Sequence, residues 1–150
     1  MIVLDTTYFL PIVGISVKAD FFSALKKKEI CYIPPQNIYL NEISLFELQA
    51  KASKLGVPPK RVIEGINAII EAFNIISFYD SSIIKIAFKL RKIISDYIDC
   101  IIVATALSRE YLLLTEDKVI LTNANRIYEM FPKKKIIIMN LQQFKKKGTF

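Results

Sequence analysis

Apolar and polar positions along this chain switch between a short and a helical period, and the switches mark out strands and helices in alternation. After Met1 comes a strand-like run, Ile2, Val3 and Leu4, that ends on Asp5. Over residues 17–28 apolar side chains recur at helical spacing (Phe21, Phe22, Leu25), and Lys26, Lys27 and Lys28 close the segment with cations that suit the negative end of a helix dipole. Residues 38–40 predict a second strand, following Pro34 and Pro35. Ser44-Leu45-Phe46-Glu47 opens a helix that carries Leu48, Ala52 and Leu55 and stops at Gly56. Pro58 and Pro59 start another that runs to Phe73, since proline costs little in a first helical turn.

Residues 75–78 predict a third strand, and Asp80-Ser81-Ser82 then caps a helix bearing Ile83, Ile84, Ala87, Phe88 and Leu90. Ser95 and Asp96 precede a helix over 98–109 that is apolar almost all round, which marks it as central to the fold. A fourth strand is predicted at 111–114. Thr115-Glu116-Asp117 makes a polar turn, 118–130 is irregular or helical, 136–139 gives a fifth strand, and 142–150 a short helix that frays. Strands in alternation with helices predict an α/β fold: three layers, α/β/α, around a mainly parallel sheet of about five strands. With no repeat, linker or composition break, residues 1–150 are expected to form one domain, burying on the order of 70% of the surface of the unfolded chain.

Composition narrows the chemistry. Although 53% of residues are hydrophobic, charges interrupt every apolar stretch before about 18 positions, so no membrane-spanning helix is predicted. Asp5 falls inside what would be the apolar segment of a signal peptide, and a cytoplasmic location is expected. Cys31 and Cys100 have no motif spacing and read as buried, reduced thiols. There is no histidine, which excludes histidine general bases, Ser-His triads and the usual zinc sites. The net charge of +7 favours a polyanionic partner.

Carboxylates are what remain. In open parallel sheets ligands bind beyond the carboxyl ends of the strands, where Asp5 follows strand one and Asp117 follows strand four. Glu47 and Asp99 fall in first helical turns that face the same edge. Four acids brought together there repel one another unless a cation lies between them, and hard oxygen donors fit Mg²⁺ or Mn²⁺. Each acid also has a structural reading. Ser44-x-x-Glu47 is a capping box, Asp117 suits a turn or cap, Asp96 reads as the cap of the helix that carries Asp99, and Asp20 and Asp80 read as helix surface and cap. Asp99, among Ile98, Cys100, Ile101 and Ile102, is the hardest to assign to a solvated surface. Phosphotransfer enzymes also place an aspartate after a first strand, but Asp5 is followed by Thr6 and Thr7, not by a second aspartate two positions on.

Taken together, IVLDTTYFL, ISLFELQAK and DYIDCIIVATAL followed by LLLTEDKVI resemble, in order and spacing over almost the whole chain, the PIN domain, the fold of VapC-type toxin ribonucleases. The resemblance implies a Mg²⁺- or Mn²⁺-dependent endoribonuclease, with Asp5, Glu47, Asp99 and Asp117 as its acidic quartet and Thr6 and Thr115 as hydroxyl neighbours. Glu42 is the runner-up to Glu47. It further implies RNA as substrate, a homodimer and an antitoxin protein as partner, the rival being a PIN-fold binding module with little or no activity. Lys26 to Lys28, Lys51, Lys54 and Arg61 are the basic candidates for phosphate contacts, which position a strand without reading its sequence. A longer segment at 29–40 and a lysine-rich tail set the chain apart from compact toxins.

Overall fold

Three residues suffice for the central strand because all of them are buried: β1 (Ile2–Leu4) sends Ile2 and Leu4 to one face of the sheet and Val3 to the other, the period-two alternation of a strand. The computed structural model describes residues 1–147. In it β1 pairs in parallel with β2 (Ile38–Asn41) and with β4 (Leu112–Leu114), β2 with β3 (Asn74–Ile76), and β4 with β5 (Ile138–Met139). The five strands are all parallel, in the order β3-β2-β1-β4-β5. The register Leu4↔Leu114 brings the ends of β1 and β4 level.

Helices cover both faces. On one lie α4 (Ser81–Leu90) and α5 (Tyr97–Arg109), with Ile120 of α6 (Lys118–Thr122) and Ile127 of α7 (Ala124–Met130), packed on Val3, Leu113 and Ile138. The helix α5 is the central one expected, with every residue from Cys100 to Leu107 buried. Against the other face pack a 3-10 helix (Thr6–Val13), α1 (Phe21–Lys26), α2 (Ile43–Lys54), α3 (Pro59–Ala72) and α8 (Leu141–Lys147), around Ile2, Leu4, Ile38, Leu40, Leu114 and Met139. The predicted three-layer α/β/α architecture is the one observed. Positions 148–150 of the expected C-terminal helix lie outside the described residues. None of the described helices is long and apolar enough to cross a membrane.

Several boundaries differ from the sequence expectation. The helix expected over 17–28 is confined to α1, because the Asp20 carboxylate accepts the Ser23 N–H at 2.9 Å and so fixes the start. The segment after Asp5 winds into the 3-10 helix, which the sequence did not announce and which ends at Gly14 with φ 89°, in the left-handed region. It packs against α3 so closely that a Cβ on Gly65 would sit 2.7 Å from the Ile12 carbonyl oxygen. Residues 118–130 form two helices, α6 and α7. Cys100 is buried as expected, whereas Cys31 is exposed: it lies in the irregular segment between α1 and β2, where Ile30 turns inward instead.

Candidate active site

The strand order reverses direction at β1 and β4, so the chain leaves these neighbours toward opposite edges of the sheet and a crevice opens beyond their carboxyl ends. Asp5 and Thr115 are the first residues past those ends. The ladder continues into them: Asp5 N–H donates to the Leu114 carbonyl at 3.0 Å, and Thr115 N–H to that of Met139 at 3.1 Å. The Thr115 hydroxyl then donates to Asp5 Oδ2 at 2.5 Å while its oxygen accepts the Asp117 N–H at 3.0 Å. Asp5 Oδ1 accepts the Thr6 N–H at 2.7 Å.

Glu47 arrives from α2. The capping box expected at Ser44 is not formed, because α2 starts earlier, at Ile43, and Asn41 Oδ1 accepts the Ile43 N–H at 2.9 Å. Freed from that task, Glu47 accepts the Thr6 hydroxyl at 2.6 Å, with buried Ser44 Oγ 2.9 Å from the same oxygen. Asp99 comes from the first turn of α5, whose cap is Asp96, accepting the N–H groups of Ile98 and Asp99. Asp117 caps α6 through Oδ1 and Ile120 N–H, 2.9 Å apart. Its capping role and its place at the crevice therefore coexist. Behind α2, Asn41 donates to the Thr105 hydroxyl of α5 at 2.9 Å, tying the two acid-bearing helices together at the sheet.

Asp5, Glu47, Asp99 and Asp117 line one cavity of about 410 Å³, with Thr6, Thr7, Glu116, Val119, Lys51 and Lys118. The runner-up Glu42 is elsewhere, accepting from the Ser77 hydroxyl at 2.9 Å and the Phe78 N–H at 3.3 Å. Of the basic candidates, Lys51 lines the cavity, Lys27 lines a neighbouring polar cleft of about 470 Å³ with Lys18 and Lys145, and Lys26, Lys28, Lys54 and Arg61 line neither. Glu116, read from sequence as part of a polar turn, borders both spaces and accepts the Tyr8 hydroxyl at 2.7 Å and the Leu141 N–H at 3.0 Å. The one sequence signal for it is its place between Thr115 and Asp117.

The acids feel one another. Burial pushes the Asp5 carboxyl up to about 6 against the pull of its Thr115 and Thr6 hydrogen bonds, and the charges of Glu47 and Asp117 push the same way. Asp99, half-buried, is raised to about 7, first by burial and then by Asp117, Asp5, Asp96 and Glu47. Among the described residues no three acidic, cysteine or histidine side chains are drawn into a ready-made coordination cage. The donors that line the cavity are all hard oxygens carrying charge that a divalent cation would offset, so the set fits Mg²⁺ or Mn²⁺.

A doubly covered parallel sheet with an acid-lined crevice at its switch point defines a class of three-layer α/β fold, and likeness to known proteins makes the class specific. The PIN domain family model matches residues 2–125; the chain belongs to the PIN domain family, whose members are generally nucleases. Comparison with curated proteins finds none that matches. Among solved structures, the chain is similar to VapBC2 from Rickettsia felis bound to a DNA fragment from their promoter, at 20% identity and TM-score 0.61, covering 93% of this chain and 98% of that one. It is also similar to FitAcB from Neisseria gonorrhoeae, at 20% identity, TM-score 0.63 and 95% and 99% coverage. A toxin-antitoxin complex from Klebsiella pneumoniae matches at 22% identity, TM-score 0.59 and 80% and 90% coverage. At these identities the likeness is one of fold.

Proposed function

We propose that this chain is a Mg²⁺- or Mn²⁺-dependent endoribonuclease that hydrolyses RNA phosphodiester bonds, acting as the toxin of a toxin-antitoxin pair. The observation that carries the reading is the burial of Asp5 at the strand-order reversal, in one cavity with Glu47, Asp99 and Asp117. Asp5 and Asp99 are the direct ligands in this account, with Glu47 and Asp117 completing the shell directly or through waters. The bound ion would supply charge neutralisation at the phosphate and a bound water of lowered pKa.

The chain's own groups do the rest. Thr115 fixes the Asp5 carboxylate and the Asp117 backbone at once, so its role is positioning. Thr6 holds Glu47 facing the cavity, and Glu47 or Asp117 accepts the proton of the attacking water. The antitoxin partner is supported by the complexes in which the structural neighbours occur. An apolar hollow of about 450 Å³ bordered by Phe78, Tyr79, Phe88 and Tyr97, all exposed, supports a homodimer. A cytoplasmic site of action goes with an RNA target.

A second reading is a PIN-fold module that binds RNA or protein with little turnover, for which the exposed aromatic hollow offers a protein-binding surface. Incubation of single-stranded RNA with the protein in Mn²⁺ separates the two. Cleavage by the wild type that disappears in Asp5→Asn supports the nuclease; binding without cleavage supports the module.

A further inference from the structure

Two lysines that line the cavity with the acids, Lys51 and Lys118, make no ion pair among the described residues. Lys51 lies one helical turn beyond Glu47 in α2, the Glu-to-Lys spacing and polarity that ordinarily forms an intrahelical pair. Here Glu47 is turned to the Thr6 hydroxyl instead. Lys118 opens α6 next to Asp117, whose Oδ1 is occupied by the Ile120 N–H. The ion pairs among the described residues are Arg109–Asp80, Lys134–Glu110 and Lys145–Glu29, so neither lysine is matched to a carboxylate although several line the same cavity. Among the described residues neither donates a side-chain hydrogen bond.

We infer that Lys51 and Lys118, entering the cavity lining from α2 and α6, form a clamp for two backbone phosphates of a single-stranded RNA, one on either side of the phosphate facing the acids. The inference rests on the ribonuclease reading for the identity of the ligand. Five carboxylates, Asp5, Glu47, Asp99, Glu116 and Asp117, line this space and repel a polyanion. The divalent cation of the ribonuclease reading would offset charge at the phosphate among the acids, and the two lysines lining the same cavity supply the positive charge for the phosphates that flank it. Lysine suits the task as a point charge on a flexible stem that follows a mobile backbone without reading bases.

The test is equilibrium binding of a fluorescently labelled, mixed-sequence single-stranded RNA 12-mer in Ca²⁺, titrated with salt, alongside cleavage of the same RNA in Mn²⁺. Each phosphate contact to a single strand contributes about 0.7 to the slope of log K against log salt. The double variant Lys51→Ala/Lys118→Ala is therefore expected to lose about 1.4 from the slope and to bind roughly ten-fold more weakly at 0.15 M salt. Lys133→Ala, in the segment that leads into β5 at the opposite edge of the sheet, should match the wild type. An unchanged slope and affinity in the double variant, or a wild type that does not bind, overturns the clamp whatever the cleavage assay gives. Altered binding without any wild-type cleavage keeps the clamp as an RNA site and overturns the nuclease reading.

Discussion

The Thr115 hydroxyl donates to Asp5 Oδ2 at 2.5 Å, a bond between residues at the ends of adjacent parallel strands and far apart in sequence. It is one of the two interactions that hold the Asp5 pKa down against burial, the other being the Thr6 N–H. Because the Thr115 hydroxyl oxygen also accepts the Asp117 N–H, a single side chain sets the geometry of two acids.

Replacing that hydroxyl by a methyl should therefore do more than remove a contact. Thr115→Val leaves a buried carboxylate oxygen and an amide N–H without partners, a loss of about 1 to 3 kcal/mol in stability. It also raises the Asp5 pKa further, so the acid limb of the cleavage pH profile moves to higher pH and the rate at neutral pH falls roughly 10- to 100-fold. Thr115→Ser should restore both. Chemical denaturation and the pH profile of the three proteins check this.

The metal-free protein should gain stability as pH falls from about 7 toward 4, contrary to most proteins. Asp5 titrates near 6 in the folded state against 3.8 in the unfolded chain, so in that interval the folded state binds more protons and the unfolding free energy decreases as pH rises. Asp5 alone contributes roughly 3 kcal/mol by this linkage, and Asp99 acts in the same direction up to about pH 7. Below the ordinary carboxylate range the sign reverses, because Glu29 and Asp80, held low by bonds from Lys145 and Ser82, take up protons on unfolding. Thermal melts in EDTA across pH 4 to 8 measure the slope, which Asp5→Asn should flatten.

Asp96 and Asp99 lie three residues apart on one helix and should respond oppositely to substitution. Asp96→Ala removes the cap of α5 and should cost about 1 kcal/mol. Asp99→Asn relieves repulsion in the cavity and should leave the melting temperature unchanged or higher while cleavage is lost. A drop of several degrees in Asp99→Asn would assign Asp99 to the fold instead.

Gly65→Ala tests the contact between α3 and the 3-10 helix. Helix propensity alone would stabilise the alanine by about 1 kcal/mol. The new methyl would meet the Ile12 carbonyl oxygen at 2.7 Å and Val13 Cγ1 at 2.8 Å, so a net loss of stability is expected on calorimetry.

What the sequence made legible was whatever depends on local pattern. The buried run before Asp5, the cap at Asp96 and the near-total apolarity around Asp99 each follow from residues within one turn or strand, and together they fix both the parallel sheet and the edge where the acids stand. Contacts between distant segments were not legible. Thr6 and Glu47 lie 41 positions apart, and their bond redirects Glu47 from the capping box its neighbours suggested. Tyr8 and Glu116 are 108 apart, so nothing near Glu116 signals that it ties the loop after β4 to the start of α8. The 3-10 helix was hidden for a related reason: TTYFLPIV is apolar enough for a strand or a helix, and its packing against α3 decides.

In the function proposed above, Asp5 is held at the end of a buried strand to bind a divalent cation. Thermal melts of wild type and Asp5→Asn, with and without millimolar Mn²⁺, test it most directly. Mn²⁺ is expected to stabilise the wild type by RT ln(1 + [L]/Kd), about 1.4 kcal/mol at ten times Kd, and barely to move the variant, which keeps the shape of the side chain but not its charge. Equal shifts in the two proteins would contradict it.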